Sequence, residues 1–248
     1  MLFFTKKKPV LAELTEGMVD IHSHLIPGID DGSKSAAQSM LLIGGLKKIG
    51  FTDFIATPHI IKTVWDNSPE TILPAQKNLN DALANIGQNI HVRAAAEYMM
   101  DDSFLNLLET NTPLLTLKDN FVLVEMSYIN PPIQLHDIIF KLRLAGYQPI
   151  LAHPERYLFY HNNVSEYNRL KQSGCLLQLN LLSVVGYYGE RVAKVAEQLL
   201  VAGKYDFVGS DVHHENHVKS FERRLTFKDT QALKDLVSNN KQFLRDGD

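Results

Sequence analysis

The chain has 248 residues, 45% of them hydrophobic and 21% charged, which is typical of a globular protein with one large core. Its formal net charge of −3 argues against a nucleic-acid partner, because nucleic-acid-binding surfaces are usually strongly basic. No apolar run approaches the roughly 18 residues of a transmembrane segment, and the single cysteine, Cys175, excludes an intrachain disulfide, so we expect a cytoplasmic protein.

The first 17 residues are predicted to be an N-terminal extension, flexible or loosely docked, before a single domain over residues 18–248. The start, "MLFFTKKKPVLAEL", lacks a long apolar core and is a poor secretory signal. Its apolar residues and lysines leave weak contact with a membrane surface as an alternative.

Short apolar runs alternate with longer amphipathic segments along the rest of the chain. The predicted strands are Met18–His22, Asp53–Thr57, His91–Glu97, Phe121–Met126, Gln148–Ala152, Cys175–Asn180 and Asp206–Ser210. The predicted helices are Ser33–Ile49, Pro69–Ile86, Ser103–Leu108, Gln134–Ala145, Val164–Ser173, Glu190–Ala202 and Lys228–Asn239.

Runs such as "FVLVEM" and "QPILA" do not alternate apolar with polar residues, as expected for parallel strands buried on both faces. Seven βα units predict an α/β protein with a closed or nearly closed parallel barrel, a distorted (βα)7 barrel. A doubly wound open sheet is the alternative.

Ligand-type side chains stand at or just beyond the ends of six of the seven predicted strands. They are His22, His24, Asp30, Asp31, His59, Glu97, Glu125, His153, Asp211 and His213. The carboxyl ends of parallel barrel strands all face one mouth, where active sites lie. So many carboxylates and imidazoles in one pocket would repel each other or shift their pKa values heavily without cations. The sequence therefore predicts a metal cluster of two or three ions.

Each part of this pattern is weak when taken alone. Residues i and i+2 of a strand share a face, so His22 and His24 can bind one ion together, as can Asp211 and His213. A set of imidazole and oxygen donors without thiolate permits Mn, Fe or Zn and does not choose among them.

The motifs "DIHSHLIPGIDDG", "ATPHI", "AAEY", "VEMS", "AHPERY" and "GSDVH" resemble those of the polymerase and histidinol phosphatase (PHP) superfamily. Within it they are most similar to the manganese-dependent bacterial protein-tyrosine phosphatases of capsule and exopolysaccharide operons. The resemblance runs from Val19 to about His213 and implies a distorted (βα)7 barrel with a trinuclear metal site. It also implies Mn2+ as the metal and, as substrate, a phosphotyrosine protein, the tail of a partner tyrosine kinase.

Position by position, the resemblance implies three sets of ligands. One ion would be held by His22, His24, Glu97 and Asp211, a second by Glu97, Glu125 and His153, and a third by Asp31, His59 and His213. Asp30 is the ambiguous neighbour of Asp31. It either shapes the loop or is itself the ligand.

Arg156 of "HPER" is the candidate group for neutralising phosphoryl charge, because its planar fork matches phosphate oxygens. The leaving-group proton is assigned to Asp211, Asp31 or a water, without a choice among them. A phosphocysteine mechanism is excluded, because it needs an arginine six positions after the cysteine, where this chain has Leu181. The second phosphate-binding arginine of the relatives is missing. Lys219, His217 and Arg223 are its candidate replacements.

Two alternatives to a tyrosine phosphatase stay open. A small-molecule phosphatase, such as a histidinol-phosphatase, could use the same barrel and metals, since function depends on the rim of the pocket. A non-catalytic metal-binding module is the other. Five aromatic residues are expected near the mouth, where they either flank a substrate ring or pack loops: Trp65, Tyr98, Tyr128, Tyr157 and Tyr160.

Overall fold

The structure is a computed structural model that describes residues 7–245. Its strands are β1 (Met18–Asp20), β2 (Phe51–Ala56), β3 (His59–Ile60), β4 (Val92–Ala94), β5 (Glu97–Met99), β6 (Phe121–Glu125), β7 (Gln148–Ala152), β8 (Leu176–Asn180) and β9 (Phe207–Gly209). Its α-helices are α1 (Ala36–Lys48), α2 (Pro69–Asn85), α3 (Asp102–Glu109), α4 (Leu135–Leu144), α5 (Val164–Gln172), α6 (Glu190–Val201), α7 (Glu215–Ser220) and α8 (Gln231–Asn239). Seven of these helices match predicted ones.

All strand pairs are parallel, in a three-stranded sheet of order β1-β2-β4 and a six-stranded sheet of order β3-β5-β6-β7-β8-β9. The predicted third strand is broken at Ala95–Ala96, so Glu97 begins β5 and does not end a strand. Hydrogen bonds continue across the break, since the Ala95 N–H donates to the Ala56 carbonyl and the Glu97 N–H to the Pro58 carbonyl. The two sheets are thus consecutive parts of one parallel arrangement.

The first and last strands meet just beyond their carboxyl ends. The Asp211 N–H donates to the His22 carbonyl over 2.8 Å, and the His24 N–H donates to the Val212 carbonyl over 3.0 Å. Ser23 and Val212 form a parallel bridge at the same point. This contact is compatible with the predicted distorted barrel, and it carries two predicted ligand pairs to one seam.

The helices bury apolar stripes against the strands, as their sequences predicted. In α1, Leu42, Ile43 and Leu46 are buried. The helix begins three residues after the predicted start, because the Ser35 side chain accepts a hydrogen bond from the Gln38 N–H and so caps it. The short helix α7 was not predicted. It lies between the "SDVH" motif and α8, where its six residues give too short a pattern to recognise.

The described part of the predicted extension is docked on the domain. Leu11 is fully buried, its N–H donates to the Arg223 carbonyl, and the Leu225 N–H donates to the Pro9 carbonyl. Residues 1–6, on which the membrane-surface alternative rests, lie outside the described residues. Within residues 7–245, no helix combines the length and the apolar character needed to cross a membrane.

Candidate metal centre

The mouth of the strands brings the predicted ligands together. The donor groups that approach within metal-binding range are His24, Asp31, His59 and His213; His22, His24 and Asp211; His22, Glu97 and His153; and His59, Glu97 and Glu125. All nine residues predicted as ligands therefore belong to one continuous cluster. Most of it is buried; Asp31 is the exposed member, about half-open to solvent.

Four donor atoms enclose a point beyond the end of β1. The Nε2 atom of His22 lies 3.4 Å from His24 Nε2 and 3.2 Å from Glu97 Oε2. Asp211 Oδ1 lies 3.4 Å from each of the two imidazole nitrogens. A tetrahedral site with metal–ligand bonds of about 2.1 Å has edges of about 3.4 Å. Five of the six edges of this set have about that length, whereas Glu97 and Asp211 belong to separate donor groups. His22, His24 and Asp211 therefore have the spacing of a coordination shell, with Glu97 beside it.

The donors around Glu125 differ in part from the expected set. His153 Nε2 lies 3.0 Å from Glu97 Oε1, as expected for two ligands of one ion. Beside Glu125, however, the structure places the Nδ1 atom of His59, 2.8 Å from Glu125 Oε1 and 3.2 Å from Glu97 Oε2. His59 thus faces two donor groups, one with each ring nitrogen.

The third group separates the roles of Asp30 and Asp31. Asp31 Oδ1 lies 3.5 Å from His59 Nε2 and 3.4 Å from His213 Nε2, in the position of a ligand. Asp30 is buried and points away from these atoms, since its Oδ2 lies 2.7 Å from His24 Nδ1 and its Oδ1 accepts from the Gly32 N–H. Asp31 is therefore the ligand candidate, and Asp30 orients His24.

Hydrogen bonds behind the imidazoles set which nitrogen faces the cluster. His22 Nδ1 lies 2.8 Å from the Gln178 side-chain oxygen, and His213 Nδ1 lies 2.9 Å from the Asp211 carbonyl. An Nδ1–H donated to these acceptors leaves Nε2 as the free lone pair that a metal requires. The same holds for His24, whose Nδ1 is bound to Asp30.

The buried charges strongly shift the pKa values in the cluster. Burial acts to raise the pKa of Glu97, but the imidazoles of His22 and His59 outweigh it and hold that pKa well below its usual range. Burial acts to lower the pKa of His59, yet the Glu97 carboxylate raises it to about 9. Burial, and then the neighbouring Glu97 charge, raises the pKa of Glu125 to about 7. The carboxylates of the cluster thus require positive charge beside them, which protonated imidazoles or bound cations can supply.

Buried polar atoms without hydrogen-bond partners provide a separate indication that the donor set fits metal ions. Four buried side-chain atoms of the cluster have no hydrogen-bond partner of suitable geometry: His59 Nδ1, Glu97 Oε2, Glu125 Oε1 and His153 Nδ1. The first three converge within one donor group. Buried polar atoms are otherwise almost always hydrogen-bonded, so their convergence indicates cation ligands.

The backbone at the mouth is shaped for close approach. His153 and Asp211 adopt left-handed conformations, with φ of 37° and 50° respectively. Such conformations are costly for residues other than glycine and concentrate at functional sites. A Cβ atom on Gly32 would lie 2.4 Å from His24 Cβ, and one on Gly209 would lie 2.7 Å from His22 Cβ. Glycine is therefore required at both positions for the histidines to keep their places.

A cavity of 260 Å³ opens over the cluster and is lined by ten residues, among them Arg156, Tyr128 and Tyr188. An Arg156 guanidinium N–H donates to Asp211 Oδ2 over 2.7 Å. The guanidinium also lies against two aromatic faces, 4.1 Å from the Tyr188 ring centroid and 4.8 Å from that of Tyr128. These contacts hold its fork over the cluster while the side chain remains 20% exposed.

Glu155, which directly precedes Arg156 in the chain, has a structural role. It is fully buried, and its carboxylate accepts hydrogen bonds from the Asn180 N–H, the Ser183 hydroxyl and the Tyr205 hydroxyl. The Asn180 side chain in turn donates to Asp211 Oδ2. Glu155 therefore fixes the turn that presents Arg156.

The cavity also contains candidates for the missing phosphate-binding arginine. His214 and His217 line it, whereas Lys219 and Arg223 do not. The buried His217 ring lies beside the Asp211 carbonyl, 3.1 Å away, and burial lowers its pKa to about 4. His217 is therefore neutral at physiological pH and can replace an arginine only as a hydrogen-bonding group.

The expected aromatic residues divide into two groups. Tyr128 is 46% exposed and lines the cavity. Tyr157 and Tyr160 are buried loop-packing residues, and the Tyr157 hydroxyl accepts a hydrogen bond from the Met126 N–H. Tyr188, which sequence reasoning missed, is the second aromatic ring that packs against the Arg156 guanidinium, together with Tyr128. Cys175 is buried and free.

Comparisons with known proteins identify the family to which this chain belongs. The family described as "Capsular polysaccharide synthesis, CpsB/CapC" matches residues 18–226. The chain belongs to this family. Relatives of this CpsB/CapC chain include the tyrosine-protein phosphatase YwqE of Bacillus subtilis, 30% identical over 79% of this chain and 78% of YwqE. The putative tyrosine-protein phosphatase CapC of Staphylococcus aureus is 27% identical over 93% of this chain and 89% of CapC.

Solved structures place this CpsB/CapC chain in the same fold. It matches a structure described as YwqE from Bacillus subtilis and CpsB from Streptococcus pneumoniae, "unique metal-dependent tyrosine phosphatases". The TM-score is 0.80 at 27% identity, covering 92% of this chain and 94% of that one. An amidohydrolase from Mycoplasma synoviae shares the fold alone, with a TM-score of 0.54 at 12% identity over 94% of this chain and 88% of that one. The resemblance predicted from the sequence is confirmed.

Gln178 provides a test of how the His22 imidazole is held. We expect Gln178→Leu to weaken metal binding about 10- to 100-fold, because His22 then loses the acceptor that fixes its tautomer. Isothermal titration calorimetry with Mn2+ measures the affinity for the metal, and Gln148→Leu serves as a control outside the cluster. Unchanged affinity in Gln178→Leu would contradict the orienting role.

Proposed function

We propose that this chain is a metal-dependent protein-tyrosine phosphatase. The observation that carries the proposal is the mostly buried cluster of nine nitrogen and oxygen donor residues, five of which line the same cavity as Arg156. The relatives named tyrosine-protein phosphatase support the choice of reaction. A cavity of 260 Å³ is smaller than the roughly 300–1,000 Å³ typical of pockets that enclose a whole small molecule, and it suits one phosphorylated side chain.

We assign the metals to the groups that the sequence predicted. In that assignment His22, His24, Glu97 and Asp211 would hold one ion; Glu97, Glu125 and His153 a second; Asp31, His59 and His213 a third. The donor groups in the structure differ in part, since Glu97 groups with His22 and His153 and with His59 and Glu125, and His24 joins the third set. Mn2+ is our first choice, and the oxygen-and-imidazole donor set also suits Fe or Zn. Bound there, the ions would supply a nucleophile at neutral pH and neutralise phosphoryl charge.

The chain's own groups position the substrate. The Arg156 fork would bind two phosphoryl oxygens, and its two aromatic neighbours restrict its movement. The exposed Tyr128 ring lies where a substrate phenyl ring would leave the cavity. Burial acts to raise the pKa of Asp211, but His22 and His213 hold it well below its usual range, which supports Asp211 as an ionised ligand over a proton donor. A phenolate leaving group, with a pKa near 10, needs little protonation.

The biological substrate we propose is a phosphotyrosine protein, the tail of a bacterial tyrosine kinase that controls capsule or exopolysaccharide synthesis. The family description and the relatives' names support this choice. A cytoplasmic location remains the prediction made from the sequence.

Substrate comparison tests the proposal. We expect the Mn2+-loaded protein to hydrolyse a phosphotyrosine peptide with a kcat/KM at least about ten-fold above that for histidinol phosphate, because function depends on the rim of the pocket. Phosphate release measures both reactions, and a phosphoserine peptide of the same sequence is the control. Faster turnover of histidinol phosphate would favour the small-molecule alternative and overturn the proposal.

A further inference from the structure

A groove runs along the mouth of the strands beside the metal cavity. It consists of two cavities of 520 and 460 Å³ that share Met99, Asp101 and Asp102. The larger is lined by apolar side chains of β3, β5 and α3, including Tyr98, Phe104 and Leu107. We call the two together the α3 groove.

The α3 groove adjoins the candidate active site along the chain, although the two share no lining residue. Ile60, which lines the groove, directly follows the candidate ligand His59, and the two pair with Tyr98 and Glu97 respectively. At the outer end, Ser127 lines the groove and directly precedes Tyr128 of the metal cavity. The groove is therefore a neighbouring surface for a polypeptide whose phosphorylated side chain enters the metal cavity.

The groove combines apolar walls with negative charge. Asp101 and Asp102 stand where its two parts meet, and neither forms an ion pair with another described residue. Asp66 also lines it and is paired with Lys62 over 2.8 Å. The groove thus carries a net negative charge, in contrast to the Arg156 guanidinium in the adjacent cavity.

Exposed apolar residues border this surface. Ile129 and Ile133, on the loop between β6 and α4, are 85% and 103% exposed, and Ile133 lines the outer part of the groove. Val64, in the turn that also supplies Lys62 and Asp66, is 62% exposed. Apolar residues gathered beside a polar cavity indicate contact with a partner.

Resting on the proposed function, we propose that the α3 groove binds the polypeptide flanking the phosphotyrosine. An apolar side chain of the substrate would occupy the space beside Met99, Phe104 and Leu107, and a lysine or arginine would lie against Asp101 and Asp102. The metal cavity selects the phosphorylated residue, and the groove selects its neighbours in sequence.

A charge swap at Asp102 tests this proposal. Asp102 is exposed in the first turn of α3, so Asp102→Lys changes charge without entering the metal cavity. The probes are phosphotyrosine peptides that carry one lysine or one glutamate at each of three positions on either side of the phosphotyrosine. We expect the wild type to prefer lysine at one position by about five-fold in kcat/KM, and Asp102→Lys to prefer glutamate there.

Leu107→Ala tests the apolar part of the groove. We expect it to raise KM for the best peptide about ten-fold while leaving hydrolysis of p-nitrophenyl phosphate, which does not reach the groove, within two-fold. The matched control for the charge swap is Asp235→Lys on α8, a carboxylate that lines neither the groove nor the metal cavity.

The outcomes separate the two proposals. Hydrolysis of every probe by the wild type with no preference at any position, or the same preference in Asp102→Lys, would overturn the groove and leave the phosphatase intact. A wild type that dimerises in solution, together with a monomeric Leu107→Ala variant of unchanged peptide kinetics, would assign the groove to a second copy of this chain. That result would also overturn the proposal that the groove binds the substrate polypeptide. Failure of the wild type to hydrolyse both the peptides and p-nitrophenyl phosphate would instead count against the proposed function.

Discussion

Replacement of His22 by alanine is expected to lower metal content by about one ion per chain and kcat/KM by more than about 10³-fold. The His22 Nε2 atom lies 3.2–3.4 Å from donor atoms of His24, Glu97 and Asp211 beyond β1. Removal of its imidazole leaves the buried carboxylates of Glu97 and Asp211 with one neutralising partner fewer. Metal analysis of the purified protein and phosphotyrosine peptide hydrolysis measure the two effects.

The control for this substitution is His91→Ala. His91 is exposed at the start of the strand region before β4 and lines none of the cavities described above, so its loss should change neither metal content nor rate. A chelator added to the wild type should reproduce the loss seen in His22→Ala. If His22→Ala kept its metal and a near wild-type rate, the assignment of this ion would be wrong.

Replacement of Arg156 by alanine is expected to lower kcat/KM about 10²- to 10³-fold while leaving metal content unchanged. The guanidinium contacts Asp211 through Oδ2, whereas Asp211 Oδ1 faces the two histidines. The metal shell therefore survives the loss of Arg156, and what disappears is the donor fork for the phosphoryl oxygens. Inhibition by inorganic phosphate should weaken in parallel.

Two further variants make the Arg156 test specific. Arg156→Lys keeps the charge but loses the planar fork, so we expect it to recover only part of the lost rate. Arg169→Ala removes an exposed arginine paired with Glu166 and should have no effect on turnover. A fall in metal content in Arg156→Ala equal to that in His22→Ala would show that Arg156 acts through the ligands and not on the substrate.

The sequence predicted the strands and helices well where their patterns were long. Gln148–Ala152 forms a strand with the predicted bounds, because an unbroken apolar run can be buried only in the sheet interior. The break at Ala95–Ala96 was not predictable, since alanine fits a strand as well as a kink. The hydrogen bonds to Ala56 and Pro58 continue across it, so neither the local sequence nor the pairing of the chain marks where the strand divides.

Most candidate ligands were predictable because parallel strands end at one mouth, so residue type and position after a strand indicated them; Glu97, which begins β5, is the exception. The groups that orient them were not. Gln178 is the third residue of β8, whose apolar pattern gives no sign of a contact with His22, and Tyr188 lies in a loop. The choice between Asp30 and Asp31 also required coordinates, because adjacent loop residues differ only in the direction of their side chains.

The seam between β1 and β9 sets the order in which the protein can become active. Asp211 and His213 are contributed by the last part of the barrel, and they meet His22 and His24 only after the backbone bonds between His22, Val212 and their neighbours have formed. Contacts between residues so far apart in the chain form late in folding. During synthesis on the ribosome, Asp211 and His213 emerge after all the other candidate ligands. Catalytic competence therefore arises only after synthesis has passed His213 and the bonds between the His22 and Val212 regions have formed.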